Sequence, residues 1–172
     1  MPSSLIETDE MIKMKVTGLT IDPFTNMPII ILKDATETTA LPIWIGLIEA
    51  SSIATELEQI ELSRPMTHDL INNMLSELAI RVDRVEINDL SDNTFFAKVC
   101  LYSGGRIVEL DSRPSDAVAI ALRAKAPIFV SKKVIEKSRS LDLKQDIVEE
   151  SSQKWAEILE NLSPEDFGKY KM

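Results

Sequence analysis

The 172-residue chain has one cysteine, Cys100, so no disulfide can form within it. A lone thiol suits a reducing compartment. No run approaches about 18 apolar residues, which excludes a helical membrane span. The first ten residues are polar and acidic and lack the basic-then-apolar order of a secretory leader. The expected location is therefore cytoplasmic, without a membrane partner. Clustered lysine and arginine are also missing. The net charge is −9 and the pI is about 4.7. That excludes a broad electrostatic grip on nucleic acid, but not a small basic or metal-bridged site. No Walker loop, GxGxxG, zinc-ligand spacing or GxSxG occurs. Histidine is reduced to His68, so any imidazole acid–base role falls to that residue.

What is present is an ordinary globular composition, 44% hydrophobic and 27% charged, enough for one core. The spacing predicts a polar tail over 1–10, a domain over 11–138 and an acidic helical extension over 139–172. From Asp142 onward eight acids face four lysines. Alternation predicts strands over Met11–Ile21, Pro28–Leu32 and Thr39–Ile45, with Pro42 marking an edge. A helix follows from Gly46 to about Leu62. A second helix, capped by Thr67, carries Leu70, Ile71, Met74, Leu75 and Leu78 as its buried stripe.

Arg81–Leu90, Thr94–Tyr102 and Arg106–Leu110 read as an antiparallel meander. Val82 and Val85 have opposite parity, so a bulge is expected between them. Asp92-Asn93 and Gly104-Gly105 mark its turns. Asp116–Lys125, capped by Ser115, is apolar on nearly every side and reads as a buried helix. A short strand (Pro127–Val130) and a short helix capped by Ser131 complete the domain. Ile147, Val148, Trp155, Ile158, Leu159 and Leu162 mark an amphipathic C-terminal helix. The expected fold is α+β: a mixed, mostly antiparallel sheet of about seven strands, three core helices and that C-terminal helix.

Two helix entrances look alike. One is Ser63-Arg64-Pro65-Met66-Thr67-His68-Asp69 and the other is Ser112-Arg113-Pro114-Ser115-Asp116. Proline, a hydroxyl and an acid at a helix start have a structural explanation in capping and the helix dipole. The arginines and the histidine do not. Arg64 and Arg113 precede helix N-termini, where anions are favoured, and their planar forks suit phosphate. Asp69, Asp111 and Asp116 can hold a hard divalent cation, and Glu49 can join them. The structural alternative pairs the arginines with Asp69, Asp116 or helix carbonyls, makes His68 a half-buried polar contact, and leaves the aspartates as caps. Cys100 reads as core.

The run Leu41-Pro42-Ile43-Trp44-Ile45-Gly46, Glu49-Ala50 and Arg64-Pro65-Met66-Thr67-His68-Asp69-Leu70 resembles the bifunctional nuclease domain family. So do Phe95-Phe96-Ala97, Asp111-Ser112-Arg113-Pro114-Ser115-Asp116-Ala117, Ala121-Leu122-Arg123 and Pro127-Ile128. The resemblance runs from about Met11 to Ile135. It implies a compact α+β domain that associates into homo-oligomers and hydrolyses DNA and RNA. The expected site then has His68, Asp69, Asp111 and Asp116 as catalytic residues. Arg64, Arg113 and Arg123 would meet the substrate, and Asp69, Asp111 and Asp116 would hold Mg²⁺ or Mn²⁺. The alternative is a non-catalytic oligomeric binding or assembly protein.

Overall fold

The structure, a computed structural model, describes residues 9–140. The amphipathic helix expected from Ile147 to Leu162 lies outside the described residues. In chain order the elements are β1 (Met11–Ile21), β2 (Pro28–Asp34), β3 (Ala40–Trp44), α1 (Leu47–Leu57) and α2 (Thr67–Glu77). Then come β4 (Arg81–Ser91), β5 (Thr94–Ser103), β6 (Arg106–Ser112), α3 (Pro114–Ala124), β7 (Ile128–Ser131) and α4 (Lys132–Ser140).

The strands form one seven-stranded sheet in the order β3-β2-β1-β7-β4-β5-β6. β7 runs parallel to β4, and the other pairings are antiparallel. The class is α+β, as the sequence pattern implies. Alternation sends Ile30, Leu32, Leu41, Ile43, Val85, Ile87, Ala97 and Val99 to one face, where they are buried. Full burial of an aliphatic side chain of this size contributes about 1.5–3 kcal/mol. Helices α1 and α3 cover that face with Ala50, Ile53, Ala54, Ala117, Val118 and Ala121, and α4 adds Val134 and Ile135. The alanines let the two helix backbones approach each other closely.

Several local expectations hold. Pro42 sits on the edge strand β3, where its missing N–H costs no ladder bond. The register shifts between Val82 and Arg84, as the change of parity requires. Asp92 and Asn93 both adopt positive φ, and Gly104 and Gly105 do the same, so both turns close hairpins. No helix among the described residues is long and apolar enough to cross a membrane.

Others are corrected. α1 stops at Leu57 instead of about Leu62, because Gln59 turns left-handed and Ile60 N–H reaches back to Thr55 O. Thr67 and Ser115 do not cap their helices. Thr67 is the first helical residue of α2, and it is the Asp69 carboxylate that accepts the Met66 N–H at 2.8 Å. Ser115 lies buried inside α3, whose N-cap is Arg113. The stripe on α2 is only half inward. Ile71 and Leu75 pack against the core, while Leu70, Met74 and Leu78 stand 53%, 55% and 66% exposed. A stripe with apolar neighbours at 70–71 and 74–75 is wider than one packed face, so half of it turns to solvent.

Candidate functional site

Helices α1, α2 and α3 each carry an acid at the third helical position: Glu49, Asp69 and Asp116. That position faces the free N–H groups and the positive end of the helix dipole. The three acids nevertheless find different partners, and these partners build the site. Arg113, the N-cap of α3, donates from Nε to Asp116 Oδ2 at 2.7 Å and from Nη2 to Asp116 Oδ1 at 3.2 Å. Its Nη1 donates to Glu49 Oε1 at 2.8 Å. One guanidinium thus ties the first turn of α3 to the first turn of α1. A Cβ at Gly46 would meet the Glu49 carboxylate, so a larger residue there would have to displace that side chain.

His68, at the second position of α2, completes the link. Its Nε2 lies 2.9 Å from Asp116 Oδ1, and its Nδ1 lies 2.7 Å from Ser52 Oγ. Burial alone would raise the Asp116 carboxyl, but hydrogen bonds from Arg113 and His68, with their charges, outweigh it and hold it below the ordinary value. An ionised carboxylate only accepts, so Nε2 carries the proton. In the neutral imidazole Nδ1 is then the acceptor and Ser52 donates to it. Hydrogen bonds to Asp116 and Glu49 in turn push the Arg113 guanidinium up, fixing it as a cation.

These residues form the polar end of a cleft of about 560 Å³ between α1, α2, α3 and strands β5 and β6. Ile71, Leu75, Val99, Leu101, Leu110 and Ile120 make its apolar part. Both helix entrances contribute: Met66, Thr67 and His68 from one, Ser112, Arg113 and Asp116 from the other. The fold therefore brings the two look-alike segments to one opening.

It does not bring all the expected residues there. Arg64 is exposed and is not part of the cleft lining. Arg123, expected to touch substrate, has a side chain only 5% exposed. Its Nε donates to Asp69 Oδ1 at 2.6 Å, Nη1 to Ala119 O at 3.1 Å and Nη2 to Ser52 O at 3.0 Å. It is an internal brace between α1, α2 and α3: its guanidinium is buried, and each of the three nitrogens donates to protein. Asp69 is the other half of that brace. Burial would raise its carboxyl, but the bonds from Arg123 and Met66 N–H hold it low. Asp111 lies on the edge strand β6 opposite Lys98 and reaches the cleft lining.

The three-aspartate cation set is not assembled. Among the described residues no group of three or more His, Cys, Asp or Glu is placed to hold a metal ion. Asp69 is committed to Arg123 and Asp116 to Arg113 and His68, so the donor set does not fit a hard divalent cation. Cys100 is buried in the sheet, and burial pushes its thiol up, away from reactivity. Ser52 is the cleft residue beside His68 that the sequence did not single out. Its signal was its spacing: Glu49 and Ser52 stand three apart in α1 and share a helix face.

The profile described as the Bifunctional nuclease domain matches residues 30–142. An uncharacterized protein of Mycobacterium tuberculosis is 35% identical over 162 residues, covering 90% of this chain and 97% of its own length. Bifunctional nuclease 1 of Arabidopsis thaliana is 29% identical over 109 residues, and Bifunctional nuclease 2 of Oryza sativa subsp. japonica is 30% identical over 118. These cover 61% and 66% of this chain but only 34% and 36% of the plant proteins.

Proposed function

Since the chain belongs to the bifunctional nuclease domain family, we propose that it hydrolyses phosphodiester bonds of DNA and RNA in the cleft between the two helix entrances. The observation that carries this reading is the bond between His68 of one entrance and Asp116 of the other, at 2.9 Å, beside Arg113. A carboxylate that orients an imidazole and offsets its charge when protonated makes it a proton acceptor and donor. Arg113 uses three of its five N–H donors on Glu49 and Asp116, which leaves two for phosphate oxygens. Its side chain is 64% exposed, so those donors are reachable. Charge developing on the phosphoryl oxygens is stabilised there by a cation already held in place. The apolar part of the cleft suits a sugar and the flat face of a base.

A net charge of −9 restricts recognition to a few nucleotides, so affinity falls only gently with salt. The test is an assay of the purified protein on end-labelled single-stranded and duplex DNA and RNA, with chelator or with Mg²⁺ or Mn²⁺. His68→Ala is expected to lower cleavage by about 10²–10⁴-fold. Full activity in that variant sinks the reading.

The second reading, an assembly role, is favoured by one feature. Leu70 and Met74 of α2 and Leu78 at its C-cap form an outward apolar row, and Ile107 and Leu110 on the edge strand β6 are also exposed. Such a face suits a second copy of the chain. Light scattering on Met74→Lys checks it, with an unchanged mass counting against it.

A further inference from the structure

Both nitrogens of the only imidazole in the chain are taken. Nε2 faces Asp116 Oδ1 at 2.9 Å and Nδ1 faces Ser52 Oγ at 2.7 Å. A general base removes a proton through its free lone pair. In the neutral ring that lone pair is on Nδ1, and the proton standing in front of it belongs to Ser52. A water could be activated only by displacing the serine hydroxyl. The His68 side chain is 13% exposed and is therefore packed against that rearrangement.

Ser52 is itself firmly placed. It lies in α1 next to the fully buried Ile53, its carbonyl is gripped by Arg123 Nη2 at 3.0 Å, and it lines the cleft beside Glu49, Arg113 and Asp116. From this wiring we infer that Ser52 is the nucleophile of the site and that hydrolysis passes through a covalent phosphoseryl intermediate. The substrate class rests on the phosphodiester reading; the nucleophile rests on the geometry alone.

The steps balance with water as the only co-reactant. In the first, Ser52 Oγ bonds to phosphorus and the bond from phosphorus to the leaving oxygen breaks. The Oγ proton passes to His68 Nδ1 and then to the leaving oxygen, releasing an alcohol. With Oγ esterified, Nδ1 is free to face water. In the second, water bonds to phosphorus, its proton passes to Nδ1, the Oγ–phosphorus bond breaks and Ser52 Oγ recovers the proton. A diester and water become a monoester and an alcohol. Asp116 stabilises the imidazolium in both steps, and Arg123 is a positioning residue for Ser52.

Two measurements decide it. In ¹⁸O-labelled water, two displacements retain configuration at a chiral phosphorothioate diester, whereas direct attack by water inverts it. A fluorophosphonate probe is expected to leave an adduct on Ser52, located by peptide mass spectrometry and lost in His68→Ala. Ser52→Ala, with an unchanged thermal melt, is expected to cut turnover by at least about 10³-fold. Inversion, an absent adduct or an adduct on another residue overturns the proposal. A Ser52 adduct in protein that cleaves no diester upholds the nucleophile and removes only the phosphodiester reading.

Discussion

The two helix entrances share Ser-Arg-Pro and an acid in the first turn, yet they do different work. The difference is a shift in helix phase. In the first, Pro65 precedes the N-cap Met66, so Arg64 lies two residues before the helix cap and points into solvent. In the second, Pro114 is the first helical residue and Arg113 is the N-cap itself. Its side chain therefore reaches over its own helix end to Asp116 and across to Glu49. The acids diverge in the same way. Asp69 caps its helix and joins the internal Arg123, while Asp116 faces the cleft and His68. One entrance braces the fold and supplies a histidine; the other holds the charges that histidine needs. Similar motifs thus carry similar chemistry only when the helix starts at the same residue.

The contrast can be broken most directly at the two acids. Asp116→Asn replaces the carboxylate that fixes the His68 tautomer with a neutral amide, and cleavage is expected to fall by about 10²–10⁴-fold, an effect much larger than its loss of stability. Asp69→Asn is expected to do the reverse, lowering stability more than activity. Paired kinetics and thermal melts check this, and matched losses in both variants would erase the distinction between the entrances.

The arginines give the next largest effect. Arg113→Ala is expected to reduce kcat/KM by about 10–100-fold, since it removes a positioned charge on the phosphoryl group. Arg64→Ala is expected to stay within about twofold of wild type. A strong loss in Arg64→Ala would mean that the exposed arginine meets substrate after all.

Removing the brace tests stability. Arg123→Ala leaves the Asp69 carboxylate without its partner, and the expected loss is about 2–4 kcal/mol in denaturant unfolding. That range starts below the figure for a fully buried pair because Asp69 is 30% exposed. A loss under about 0.5 kcal/mol would remove Arg123 from the framework.

The smallest effect is in acid. The carboxyls of Asp69 and Asp116 both lie below their ordinary value of 3.8 in the folded state. A depressed carboxylate contributes stability that is present above the unfolded value and is lost as pH falls through the folded one. Stability is therefore expected to decline below about pH 4. Arg123→Ala should flatten the part of that decline due to Asp69. An unchanged acid profile would show that the pair does not set it.

Much of the fold was legible because it depends on local rules. Alternation located the strands, paired positive-φ turn residues located the hairpins, and the parity change between Val82 and Val85 located a bulge. The errors came where one local rule met a choice. The apolar run continued past Leu57, but a left-handed Gln59 ended α1. Thr67 and Ser115 were plausible caps until the backbone began one helix at Thr67 and the other at Pro114. In the site, His68, Asp116 and Arg113 were readable from residue type beside a helix start. Ser52 was not, because a serine inside an apolar helix looks like packing until a histidine from another helix is placed 2.7 Å away.

By itself the sequence determined the strands and helices, the family and the two segments from which a site would be built. These follow from side-chain period, backbone stereochemistry and residue chemistry, which act over a few positions. Only the tertiary structure decided which arginine is a brace, which is exposed and which stands beside the histidine. Ion pairs such as Arg123 with Asp69 and hydrogen bonds such as Ser52 with His68 join residues 54 and 16 positions apart. Their partners are chosen by the packing of α1, α2 and α3, and no local pattern contains that choice.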